Sequence, residues 1–145
     1  MMLSKFFSLE ELMHSDFAAR KGIDNTPALA IVENLKQTAQ QADRVRSFLG
    51  CPVIVSSGYR SPRLNTAIGG SKTSSHMQGF ALDIKAPDFG TPKQVFEALK
   101  DSGIVFDQCI LELPNSPGGG WVHIGFAPEF RNERLVYDGR SYRVA

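Results

Sequence analysis

Little in this sequence points to the simpler functional classes. Cysteine is nearly absent: Cys51 and Cys109 are the only two in 145 residues. Both sit in apolar runs, CPVIV and CILEL, and neither has a Cys-x-x-Cys partner or a neighbouring histidine. That argues against a cysteine-built zinc module and predicts two buried free thiols, since a disulfide cannot be read from sequence alone. A basic block is missing too. Sixteen Lys and Arg against fifteen Asp and Glu leave a net charge of +1, so there is no electrostatic footprint for nucleic acid. No apolar run approaches the roughly 20 residues of a membrane-spanning helix. The opening MMLSKFFSLEELMHSD has neither an apolar core nor a small-residue cleavage site, so no secretory signal is expected. Repeats and low-complexity tracts are absent as well. What remains is an ordinary globular composition, 42% hydrophobic and 21% charged. The length suits one domain over residues 1–145 with a single core, expected as a monomer.

The local patterns predict an α+β chain. Ser8 and Glu11 form a capping-box pattern, with a short helix to about His14. Thr26 and Pro27 read as an N-cap and first-turn proline of a long helix ending at Gly50. Its apolar positions are Leu29, Val32, Leu35, Ala39, Ala42, Val45, Phe48 and Leu49. A buried strand is expected from Pro52 to Ser57, and a short helix after Ser61-Pro62, stopped by Gly69-Gly70. Phe80–Ile84 alternates as a strand. Thr91-Pro92 opens another helix, closed by Gly103. Ile104–Leu113 and Trp121–Phe126 read as a hairpin joined by PNSPGGG. A last small hairpin, Leu135–Tyr137 and Tyr142–Val144, turns at Asp138-Gly139. Helices followed by strands suggest a small antiparallel sheet packed against helices.

Chemistry-bearing residues concentrate in SSHMQGFALDIKAP and GGGWVHIGF. Three protein ligands drawn from His, Asp and Glu, with a fourth position left for water, make a common catalytic zinc site. His76, Asp83 and His123 would supply nitrogen, oxygen and nitrogen donors. The spacing from His76 to Asp83 is too wide for one helix face but suits a loop that folds back over its own strand, with Gly79 allowing close approach. As an isolated pair, His76 and Asp83 read more readily as structural groups than as ligands. His14 reads as an ordinary surface histidine. A His2Asp set suits zinc better than calcium or magnesium.

The wider string is more specific. Ser74, His76, Gly79, Ala81 and Asp83 complete S-x-H-x-x-G-x-A-x-D, preceded by SSGYRSP (Ser56 to Pro62) and followed by Trp121-Val122-His123. Together, from about Phe7 to Phe126, these resemble the zinc D-Ala-D-Ala peptidases, a family that includes carboxypeptidases and phage endolysin-type murein endopeptidases. The resemblance implies the Hedgehog/DD-peptidase zinc fold and one Zn2+ held by His76, Asp83 and His123. It implies that Arg60 faces the substrate and the developing oxyanion, and that the Ser74 hydroxyl supports the ligand loop or the substrate. The implied substrate is a peptidoglycan stem peptide. A small phage-type protein acting on the cell wall after release fits the lack of a signal.

The family's general base is often a glutamate shortly before the last histidine, yet position 120, three residues ahead of His123, is Gly120. The nearest upstream acid is Glu112. If 113–120 is the connection, Glu112 pairs with Trp121 and Ile110 with His123, and all four share one face. Glu112 then becomes a diagonal neighbour of His123, and a one-residue slip would turn it away. Asp107 and Glu129 are the weaker candidates. Trp121 reads as packing. Two other readings stand beside a peptidase: a zinc-containing cell-wall-binding module without activity, and a purely structural metal.

Overall fold

A computed structural model describes residues 1–145. In chain order the elements are α1 (Leu9–Met13), α2 (Asp16–Lys21), α3 (Leu29–Leu49), β1 (Ile54–Ser57), α4 (Pro62–Ala67), a 3-10 turn (Ser75–Gln78), β2 (Ala81–Lys85), α5 (Pro92–Lys100), β3 (Gln108–Glu112), β4 (Trp121–Gly125), β5 (Glu133–Tyr137) and β6 (Tyr142–Val144). The strands form one open six-stranded sheet in the order β1-β2-β4-β3-β5-β6. Every pair is antiparallel except β3 with β5, which is parallel. The α+β expectation therefore holds, with a larger sheet than the local patterns suggested.

Strand alternation divides the sheet into two faces. Leu82 and Ile84, Val122 and Ile124, Cys109 and Leu111, and Val136 point to one side and join a hydrophobic cluster with Val95, Phe96 and Leu99 of α5 and Leu35, Ala39, Ala42 and Val45 of α3. Each fully buried Leu or Phe there contributes roughly 1.5–3 kcal/mol. The alternate residues, Asp83, His123, Ile110 and Glu112 among them, stand on the other side.

Several boundaries differ from the sequence reading. Helix α3 begins at Leu29, capped by Ala28 without a side-chain hydrogen bond. Thr26 is held instead in a turn, its N–H donating to Asp24 Oδ1 at 2.9 Å, so the cap expected there does not form. Leu29 is 85% exposed and Phe48 is exposed too, so both leave the expected core stripe. Helix α2 was not anticipated, although Ser15 caps it and Gly22 ends it in the left-handed region. The Ile104 strand starts only at Gln108. Residues 104–107 rise from α5 with Ile104 and Phe106 buried and outside the ladder. Cys109 is buried, but Cys51, just past the end of α3, is half-buried rather than buried; both are free thiols.

The parallel β3–β5 pair arises from the segment 126–132, which passes the start of β3. Asp107, 1% exposed, fastens it. Its Oδ1 accepts from the Arg131 backbone N–H and Nε, each at 3.0 Å, and its Oδ2 from Nη2 at 2.9 Å. Edge strand β1 is irregular between Val55 and Ser57. No helix is long and apolar enough to cross a membrane.

Candidate metal centre

The site stands on the face of the sheet turned away from the hydrophobic cluster. Asp83 on β2 pairs directly with His123 on β4, so the two side chains rise side by side. His76 is delivered by the 3-10 turn before β2. Ser74 caps that turn, its hydroxyl accepting from the His76 N–H at 3.2 Å. Helix α3 braces the same turn: Thr38 Oγ1 donates to Gly79 O at 2.7 Å and Asn34 Nδ2 to Gln78 O at 2.9 Å. The long helix thus fixes the loop that carries His76.

The three side chains converge. His76 Nε2 lies 3.2 Å and His123 Nδ1 3.3 Å from Asp83 Oδ1, and one donor atom from each residue falls within 4.8 Å of the others. All three are buried, at 2%, 7% and 8% exposure for His76, Asp83 and His123. The other nitrogen of His76, Nδ1, is 2.7 Å from Gly58 O. A carbonyl only accepts, so Nδ1 carries the proton and Nε2 presents its lone pair toward Asp83.

Electrostatics favour a cation here. Burial alone would raise the Asp83 carboxyl, but the imidazoles of His76 and His123 overrule it and hold the group well below the usual carboxylate range. Burial pushes His76 down, so its ring is neutral at pH 7. A buried carboxylate between imidazoles is costly unless something positive neutralises it. Two nitrogens and one oxygen in this arrangement are a donor set that suits a divalent metal with an open position. The residues fit the group.

Around the cluster lies an open cleft of about 780 Å³, lined by Arg60, Ser74, His76, Asp83, Glu112 and His123 among others. All six residues expected at the site therefore share one cleft. Arg60 Nη2 donates to Ser74 Oγ at 3.2 Å, and the Arg60 N–H donates to His76 O, also at 3.2 Å. Burial lowers the Arg60 pKa, opposed by Asp83 and Glu112.

The β3–β4 register pairs Glu112 with Trp121 and Ile110 with His123, as the hairpin geometry predicted. Glu112 therefore faces the cleft. Its carboxyl is raised above the ordinary value, first by burial and then by the Asp83 charge. Gly120 explains why no acid sits closer to His123 in sequence. Its φ is +76°, and a Cβ there would run into the Glu112 carbonyl oxygen, so only glycine closes this connection. The two weaker candidates fall away, because Asp107 is committed to Arg131 and Glu129 is exposed and does not line the cleft. His14 is exposed beside Asp16.

Residues 5–116 match the Peptidase M15 family. The chain belongs to that family. The match covers Arg60, Ser74, His76, Asp83 and Glu112 and stops before β4, so Trp121 and His123 are brought to the site by the fold rather than by the matched segment. No match was found among curated proteins. The chain thus joins M15 family membership to a His-Asp-His cluster able to hold a metal ion.

Sequence reasoning missed the supports of this M15 site. Asn25, buried, donates through Nδ2 to Met13 O at 2.7 Å and Tyr59 O at 3.0 Å, and its Oδ1 accepts from the Ser61 N–H at 2.7 Å. It ties down the segment carrying Gly58 and Arg60. Gly58 has no room for a side chain, because a Cβ would meet the Leu12 carbonyl oxygen. Neither residue carries a chemical signature. Asn25 spends its amide on distant backbone and Gly58 its carbonyl on the distant His76 ring, which no local pattern reveals.

Proposed function

We propose that this chain is a zinc metallopeptidase that hydrolyses peptide bonds in peptidoglycan stem peptides, with D-alanine near the cut, as a carboxypeptidase or endopeptidase acting on the cell wall after release. One observation carries the reading. In an M15 chain, the buried His76, Asp83 and His123 meet at a cleft that Glu112 and Arg60 also line.

Zinc held by His76, Asp83 and His123 would supply an activated water and polarise the scissile carbonyl. The chain's own groups do the rest. The Glu112 carboxylate takes a proton from the attacking water and returns it to the leaving nitrogen as the C–N bond breaks. Its raised pKa suits both halves of that transfer. The Arg60 guanidinium, oriented by Ser74, binds the negative charge of the tetrahedral oxyanion or of a terminal carboxylate. Gly58 O keeps the His76 ring in one tautomer. The products are one carboxylate and one amine, with no acyl-enzyme. Cys109 cannot serve as a nucleophile, since it lies on the opposite face of the sheet in the hydrophobic cluster.

The test pairs elemental analysis with release of cut peptides from cell-wall sacculi. Wild type should carry one zinc and release peptides; His123→Ala should lose both. Glu112→Gln should keep the zinc and slow turnover by about 10²–10⁴-fold, the usual loss of a general base. Zinc without cleavage in wild type would turn the assignment to a wall-binding module, and absence of zinc would overturn the site.

A further inference from the structure

The cleft carries a second chemical feature, centred on β5 and β6, which the family match does not reach. Successive cross-strand pairs set Trp121 opposite Glu112, Glu112 opposite Tyr137, and Tyr137 opposite Tyr142. The four residues make one row across β4, β3, β5 and β6, on the same face as His123. The Tyr137 and Tyr142 rings stack, with centroids 4.5 Å apart and planes at 28°. Both line the cleft, yet Tyr142 is 57% exposed. Stability does not require it there, because it stands on an edge strand facing away from the hydrophobic cluster. Tyr137 beneath it fixes the tilt of the ring.

Another part of the cleft lining is different. After the exposed Ile68 it runs through Gly69, Gly70, Ser71, Thr73 and Ser74, so it offers hydroxyls and peptide groups. The cleft thus combines a π-face with a stretch of hydrogen-bonding groups. That suits a ring with C–H bonds on its faces and polar substituents around its rim. An anion would meet Glu112 beside the tyrosines. A cation would meet Arg60 in the same cleft, and cation–π attraction at so exposed a ring is weak. An aliphatic side chain would leave the polar stretch unused.

We infer that Tyr142, held by Tyr137, is a stacking platform for a pyranose ring of the glycan strand, placing the sugar over β5–β6 while the attached peptide reaches Glu112. This rests on the peptidoglycan reading above. The residues lie outside the matched segment 5–116, so membership in the M15 family does not assign them this role.

The experiment uses the full chain and a saccharide without peptide, the N-acetylglucosamine trimer. Binding is followed by NMR titration for wild type, Tyr142→Ala and Tyr142→Phe, after thermal melts show that the three fold alike. Wild type and Tyr142→Phe should bind within twofold of each other, and Tyr142→Ala should bind about tenfold more weakly, as loss of one aromatic contact implies. In parallel, kcat/KM is compared for one stem peptide with and without its disaccharide. Wild type should favour the sugar-bearing form, and in Tyr142→Ala the ratio of the two should fall toward one. No trimer binding by wild type, equal binding by Tyr142→Ala, or an unchanged ratio would each overturn the platform. Trimer binding lost in Tyr142→Ala by a protein that cleaves neither peptide would sustain the platform and sink the peptidase reading. Cleavage indifferent to the sugar would do the reverse.

Discussion

Replacing Asn25 with alanine tests whether the site depends on a residue that never touches it. In the native chain the Asn25 amide closes three hydrogen bonds, to Met13 O, Tyr59 O and the Ser61 N–H. Alanine fills none of them. The Ser61 N–H and the Tyr59 carbonyl lose these partners in buried surroundings, each at about 1–3 kcal/mol, and the less buried Met13 carbonyl adds less. The total is about 3–4 kcal/mol. For a chain of this size each kcal/mol lowers Tm by roughly 2–4 °C, so Asn25→Ala should melt about 6–16 °C below wild type. Melts belong in chelator, because metal that binds only the folded state would mask part of the loss. The damage is also local: Gly58 O drifts from His76 Nδ1, and Arg60 loses its anchor. Zinc affinity should therefore fall in the folded variant. Asn25→Asp should not rescue it, since it keeps the acceptor for Ser61 and turns an oxygen on two carbonyls. A variant melting within 2 °C of wild type in chelator would refute the claim that this amide holds the Arg60 segment.

Three further outcomes can be checked. Burial pushes the Cys109 thiol up to about 12, so at pH 8 a thiol reagent should label half-buried Cys51 alone, with Cys109 reacting only after unfolding. The Arg131 hydrogen bonds hold the Asp107 carboxyl below the ordinary aspartate value. A depressed folded pKa contributes stability that is complete above the unfolded value of about 3.9 and is lost as pH falls through the folded one. Asp107→Asn should thus be less stable than wild type at pH 7 in urea titrations, with the gap closing in acid; a gap that widened there would be inconsistent with the pairing. Gly120→Ala combines a left-handed residue, costing roughly 1–2 kcal/mol, with a collision against the Glu112 carbonyl. It should lower Tm and cut turnover, and an active, fully stable variant would show that the β3–β4 connection is not fixed there.

Much of the site was legible because its chemistry is local. The string from Ser74 to Asp83 delivers two donors to one turn and one strand. Alternation on the hairpin was enough to place Glu112 opposite Trp121, because a two-residue period leaves only two choices and the turn length selects one. Other features were not legible, each for a physical reason. The start of α3 is decided by Asp24 capturing the Thr26 N–H, a competition that capping preferences cannot rank. Helix α2 is six residues long, too short for apolar periodicity, and its cap and terminal glycine were the only signals. The β3–β5 parallel pair depends on Asp107 meeting Arg131 across 24 positions. Tyr137 and Tyr142 read as strand residues, and only the register across four strands brings them beside Glu112.

The irregularity in β1 bears on how this protein behaves in concentrated solution. An open sheet has two borders, and each is a template for a strand from another molecule. On β1 only Ile54 and Val55 pair in regular succession before the register shifts ahead of Ser57, too short a run to seat an incoming chain, although Ile54 is exposed. On β6 the border is three residues long with Arg143 at its centre. Straightening β1 by deleting the extra residue at Ser56, or extending β6 with apolar residues, would remove these safeguards. Either change would leave a regular, unpaired border on which a second molecule could add a strand.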